Sequence, residues 1–181
     1  MKKLKISMSL WSVVLLFIAC DLTPSLQKYI VESKENNEYI AIDLPASIIS
    51  LNETEVSEEI KATLATIKKM NFIALQITDT NKALFESEKQ KVKTILKNPE
   101  YKELIKVNNN GTNIVVCYLG KEEAINEVVI FGSDNKKGLA VVRVLGENMN
   151  PADIFKISQV INIDSNSTQV KALKGILGGF K

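Results

Sequence analysis

Few side chains in this chain could do chemistry at neutral pH. There is no histidine, which removes Ser-His and Cys-His nucleophile pairs, histidine metal sites and the commonest general base. Cys117 alone cannot build a zinc site. No glycine-rich phosphate loop precedes a helix, because Gly175, Gly178 and Gly179 lie at the C-terminal end. Ser25-Leu26-Gln27-Lys28 and Ser133-Asp134-Asn135 match the S-x-x-K and S-D-N elements of penicillin-recognising enzymes. The third element, K-T-G, is missing, and Ser133 to Asn135 reads better as a hairpin turn. The expectation is a non-catalytic protein with no catalytic residue, no metal ligand set and no cofactor.

Carboxylates are what remains: Asp43, Glu88 and Glu127. Winding 81–97 as a helix at about 100° per residue puts Glu88 inside the apolar arc of Phe85, Val92, Ile95 and Leu96. A carboxylate there must be paired or change its pKa. Arg143 is the only arginine among 23 basic residues. It shares a strand face with Leu139, Val141 and Leu145, and its planar fork can grip a carboxylate in two places. A buried Glu88–Arg143 ion pair is one expectation. The alternative has Glu88 at the rim of its stripe and Arg143 reaching solvent.

The elements that position these residues follow from periodicity. Alternation at 39–44 puts Ile40, Ile42 and Leu44 on one strand face. A helix over 52–69 opens on the capping pair Asn52 and Glu55, with Val56, Ile60, Leu64 and Ile67 on one side. A strand at 72–78 and a helix at 81–97 follow, the helix stopped by Asn98-Pro99. Strands at 104–107, 113–119, 126–132 and 139–145 are joined by turns at Asn109-Asn110-Gly111 and Asn135-Lys136-Lys137-Gly138. A last helix starts at Asn150 with Pro151 behind it and runs to Ile161. Consecutive hairpins predict an α+β fold: a largely antiparallel sheet of about six strands with three main helices mostly on one face.

The N-terminus carries a different kind of signal. Lys2, Lys3 and Lys5 precede an uncharged run of fourteen residues, 6–19. At about 1.5 Å per residue the run spans roughly 21 Å, short of a ~30 Å hydrocarbon core, and fits a signal peptide. An ordinary cut after Ala19 would put bulky Phe17 at −3, where a small residue is needed. Leu16-Phe17-Ile18-Ala19-Cys20 instead resembles a lipobox, in which the cut falls before a lipid-bearing cysteine. Plain secretion and an uncleaved anchor are the competing readings. Two or three acyl chains on Cys20 would hold the protein on a membrane, since one chain alone binds marginally.

Removing 1–19 takes three lysines from 23 basic residues, leaving 20 against 21 acidic ones. The mature chain is then near −1, and no clustered basic face predicts nucleic-acid binding. If Cys20 is lipidated, Cys117 has no disulfide partner, and its apolar strand context predicts a buried, inert thiol. The expected organisation is a lipoprotein signal peptide at 1–19, a lipid-anchored spacer at 20–37 and one domain at 38–161. A polar linker and short tail complete the chain at 162–181. Within the spacer, Leu26, Tyr29 and Ile30 could form one amphipathic turn capped by Ser25. Val170, Leu173 and Leu177 give the tail an apolar side that either touches lipid or docks locally.

One resemblance covers 26–161. It rests on Tyr39-Ile40-Ala41-Ile42-Asp43-Leu44-Pro45, on Glu88 to Leu96 leading into Asn98-Pro99-Glu100-Tyr101-Lys102-Glu103-Leu104, and on Tyr118-Leu119-Gly120. Glu127-Val128-Val129-Ile130-Phe131-Gly132, Val142-Arg143-Val144-Leu145-Gly146 and Met149-Asn150-Pro151 continue it. In these stretches the chain resembles a family of small Bacteroidetes lipoproteins known only as a domain of unknown function. The resemblance implies an envelope lipoprotein on the outer membrane and no catalytic residues. The expected role is a non-catalytic binding or structural module on the cell envelope, its partners membrane lipid through Cys20 and a protein or envelope component. The alternatives are an envelope enzyme or glycan-binding subunit using carboxylates, and a regulatory or sensory lipoprotein.

Overall fold

The computed structural model describes residues 24–45, 49–51, 58–150 and 161–163. The expectations for the signal peptide, Cys20, the helix at 150–161 apart from its two end residues, and the tail beyond 163 lie outside the described residues.

Helix α1 (Leu26–Lys34) is capped by the Ser25 side chain, which accepts from the Lys28 amide at 3.2 Å. Its Leu26, Tyr29, Ile30 and Ser33 recur at helical spacing and are all buried. The spacer expected over 20–37 is therefore shorter, because this stretch is a full helix docked in the core. A hydrophobic stripe of two turns buries enough surface to fold onto the sheet, at about 1.5–3 kcal/mol per large apolar side chain.

Strand β1 (Tyr39–Pro45) follows, then β2 (Ile49–Leu51), α2 (Glu58–Thr66) and β3 (Ile67–Gln76). The helix expected to run to 69 stops at Thr66. Lys68 and Lys69 lie in β3, and Ile67 begins that strand, where pairing with the later strand at Gly138–Met149 takes over. Helix α3 (Lys82–Leu96) starts at Asn81 as expected. The Asn81 side chain does not cap it. It braces the preceding loop instead, accepting from the Thr78 amide at 2.7 Å and donating to the Gln76 carbonyl at 3.0 Å.

Strands β4 (Lys102–Asn109), β5 (Thr112–Lys121), β6 (Ala124–Asp134) and β7 (Gly138–Met149) complete the main sheet. Its order is β1-β3-β7-β6-β5-β4, with every neighbouring pair antiparallel. Helix α3 carries the chain from β3 to the far edge. Three hairpins then bring it back beside β3. Asn110 and Gly111 form the first turn with φ of 46° and 90°, a pairing that suits the right-handed strand twist. Gly138 (φ 128°) opens β7 where an added Cβ would fall on the Leu75 carbonyl, so no side chain fits.

The α+β architecture with its six-stranded antiparallel sheet is as the sequence predicts. The helices divide differently. Helices α1 and α3 cover one face, packing Leu26, Tyr29, Phe85, Val92 and Ile95 onto Ile73, Leu75, Val129, Phe131, Leu139 and Val141. Helix α2 sends Leu64 to a second cluster on the other face, with Tyr118, Val128, Val144 and Met149. A strand β8 (Ile161–Ile163) pairs antiparallel with β2, which corrects the helix end expected at 161 and the linker expected from 162.

Candidate binding groove and the buried ion pair

The antiparallel register decides which polar residues meet. On the helix-covered face, Asp43 of β1 lies opposite Asn71 of β3, Asn71 opposite Arg143 of β7, and Arg143 opposite Val129 of β6. Glu127, two residues from Val129, is the diagonal neighbour of Arg143 on that face. Arg143 donates to the Glu127 carboxylate at 2.6 Å, the side chains being 11 % and 6 % exposed. It also donates to the Gln27 side-chain oxygen of α1 at 2.6 Å, and the Tyr101 hydroxyl donates to the other Glu127 oxygen at 3.1 Å. Burial and then the Glu127 charge push the Tyr101 phenol well above its usual pKa, so it keeps its proton and acts as donor. The Arg143 Nε is buried without a partner.

Arg143 thus has Glu127, not Glu88, as its carboxylate. Glu88 is half-buried on α3, near the phenols of Tyr29 and Tyr39, whose rings meet edge to face at 6.4 Å. Both hydroxyls are buried with no partner in hydrogen-bonding geometry. Burial pushes Tyr29 up to about 12 and Tyr39 further, and the Glu88 charge adds to both. The charged residue most deeply set in the α3 stripe is Lys89, 8 % exposed. Its stem lies along the core while its ammonium reaches Glu86 at 2.7 Å and Asn135 at 3.2 Å.

Asp43 sits in a lysine clasp at the sheet edge. Lys34 of α1 and Lys69 of β3 reach one oxygen at 2.8 and 2.9 Å, and Asn71 donates to the other at 2.6 Å. Burial raises its pKa, but those three donors together outweigh it and bring the carboxyl down to about 2. Asp43, Glu88 and Glu127 therefore stand in three different settings, each engaged by its own neighbours.

A concavity lies elsewhere on the helix-covered face, between the outer flank of α3 and the β4–β5 hairpin. One part, about 210 Å³, is lined by Leu96, Val115, Phe131 and Cys117 and ringed by Lys93, Lys97, Lys106 and Glu103. The adjoining part, about 320 Å³, shares Lys93 and Asn113 and adds Asn108, Ser133 and Asn135. Sequence reasoning missed it. The signal was present in the spacing of Lys89, Lys93 and Lys97, which places three cations on one side of a helix. Cys117 forms part of the floor at 2 % exposure, a free thiol whose pKa is raised by burial and then by Glu103. That agrees with the buried thiol expected for it.

Among the described residues, no three side chains of the metal-binding types converge. No helix there is long and apolar enough to cross a membrane. Searches of curated proteins and of solved structures return no match. The family model described as Domain of unknown function (DUF4252) matches residues 30–157. That span runs from α1 through the whole six-stranded sheet and holds Glu127, Arg143 and the groove, and the chain belongs to this family.

Proposed function

We propose that this protein is a non-catalytic binding module of the cell envelope, held on the outer membrane by lipid on Cys20, with the α3–β4–β5 groove as its receptor surface. The observation that carries the reading is the separation of the groove from the three candidate carboxylates, which leaves Glu103 as the one acid on its rim among the described residues. Asp43, Glu88 and Glu127 do not line it, while its cations and amides are binding groups. Glycoside hydrolysis needs two carboxylates facing one substrate across a cleft. Here Glu127 is committed to Arg143, and Asp43 to two lysines.

The lipobox-like Leu16 to Cys20 and the run too short to span support the anchor. Because α1 begins at Leu26, five residues separate it from Cys20, a path of six Cα-to-Cα steps. Fully extended, they reach about 20 Å at most. The domain is therefore held close to the membrane surface and works on ligands found there. Fractionation tests this: wild type goes to the membrane pellet, and Cys20→Ala is released to the soluble fraction. A Cys20→Ala protein that stays in the pellet defeats the anchor.

A further inference from the structure

We propose that the groove binds an acidic saccharide, its charged group held among Lys93, Lys97 and Lys106 and its hydroxyls on the amide-rich end. This rests on the binding-module reading and names the ligand class for the same site.

Lys89, Lys93 and Lys97 follow one another at four-residue spacing along the α3 flank. Like charges at that spacing repel and destabilise a helix. The helix dipole favours cations near its C-terminal end, which accounts for Lys93 and Lys97 being on the last turn. It does not account for their facing a fourth lysine across a cavity. Lys106 stands on β4 opposite Val115, on the groove side of the sheet. Lys89 is neutralised by Glu86 at 2.7 Å, and Lys106 is 3.4 Å from Glu103. Lys93 and Lys97 have no acidic partner among the described residues. The cavity thus presents an uncompensated positive charge, which a bound anion would offset.

The rest of the lining says what kind of anion. Beyond Lys93 the groove is walled by Asn108, Asn113, Asn135 and Ser133, side chains that both donate and accept hydrogen bonds. The Asn113 side-chain oxygen is buried and has no hydrogen-bond partner. A buried acceptor left unpaired is costly, and turning the Asn113 amide toward a ligand O–H or N–H in the groove would remove that cost. Between the cationic and amide ends, Leu96 and Val115 offer a small apolar surface over Phe131 and Cys117. One charge, several hydroxyls and a C–H face describe a sugar acid or a sugar phosphate. A bare inorganic anion would use the lysines and leave the amides idle. A fatty acid would leave Asn113 unpaired.

The test is calorimetric titration of the full-length chain with trigalacturonate, its methyl ester and inorganic phosphate. The ester keeps the rings and hydroxyls and removes the charge. The expected result is trigalacturonate binding at least tenfold tighter than the ester and not displaced by equimolar phosphate. Lys93→Gln should weaken it tenfold or more. Asn113→Ala should weaken acid and ester together, and Lys121→Gln, outside the groove, should change nothing. Circular dichroism matched to wild type shows that each variant is folded. Equal binding of acid and ester, displacement by phosphate, or indifference to Lys93→Gln would overturn the proposal. Absent binding would overturn it too. If crosslinking on intact membranes through a photoreactive group at Lys93 still captured an envelope component, only the ligand class would be wrong. Loss of both would sink the binding module as well.

Discussion

Arg143→Met keeps the aliphatic bulk on β7 and leaves Glu127 charged, with its side chain 6 % exposed and its cation gone. Among the described residues, the one remaining donor to that carboxylate is the Tyr101 hydroxyl at 3.1 Å. Removing one member of a buried pair costs about 3–5 kcal/mol, mostly from the stranded charge rather than from the lost attraction. The second variant, Glu127→Gln with Arg143→Met, removes the stranded charge and keeps an amide oxygen for Tyr101. It should recover at least about 2 kcal/mol of the loss, since replacing both ions of a buried pair is often close to neutral. Urea denaturation followed by far-UV circular dichroism suits the protein, because its one tryptophan, Trp11, lies outside the described residues. At a slope of about 2 kcal/mol per molar urea, Arg143→Met should lower the midpoint by about 1.5–2.5 M. Glu88→Gln should cost less than about 1 kcal/mol, as a half-buried group outside the pair. A midpoint shift below about 0.5 M for Arg143→Met would refute a buried pair whose loss strands a charge. A double variant that recovers nothing, or a Glu88→Gln as damaging as Arg143→Met, would refute it equally.

The Cys117 thiol, at 2 % exposure and with its pKa raised by burial, should react with a thiol reagent at pH 8 at least about 100-fold more slowly in the native protein than in urea. Rapid native labelling would contradict the sealed floor of the groove. The Asp43 clasp sets an acid limb. Its folded pKa of about 2 lies below the ordinary 3.8, so the unfolded chain takes up this proton first as pH falls. The stabilisation is complete above about pH 5, shrinks as pH falls below that, and is gone once the folded carboxyl titrates near pH 2. The stability difference between wild type and Asp43→Asn should therefore be flat above pH 5 and narrow between pH 4 and 2. A difference undiminished at pH 2 would rule out the clasp as its source.

Local elements were legible wherever one short-range rule decided them. Alternating apolar residues placed the strands of the three hairpins, and Asn110-Gly111 placed a turn, because both depend on residues only a few positions apart. Helix α3 was legible for the same reason. The stop of α2 at Thr66 was not: 67–69 continue a helical pattern, and only pairing with β7, some 75 residues away in sequence, makes them a strand. Leu26, Tyr29 and Ile30 looked too few for more than one turn. They form a helix because the sheet offers a surface against which to bury them.

The ion pair marks the same boundary. Composition alone singles out Arg143 as the one arginine and shows that it needs a carboxylate. Period-2 alternation puts Glu127 on the face of Val129 and Phe131, and the register of the β6–β7 hairpin brings it diagonal to Arg143. That much could have been read from the sequence. What decided against Glu88 was the approach of α3 to the sheet, which leaves Glu88 near Tyr29 of α1 and Tyr39 of β1. The chain by itself determined the absence of histidine chemistry, the lipobox-like start, the near-neutral net charge and the hairpin series. Tertiary structure decided which charges met, and it made a groove from lysines of one helix and amides of a distant hairpin. Such contacts depend on the relative placement of elements far apart in the chain, which local periodicity does not encode.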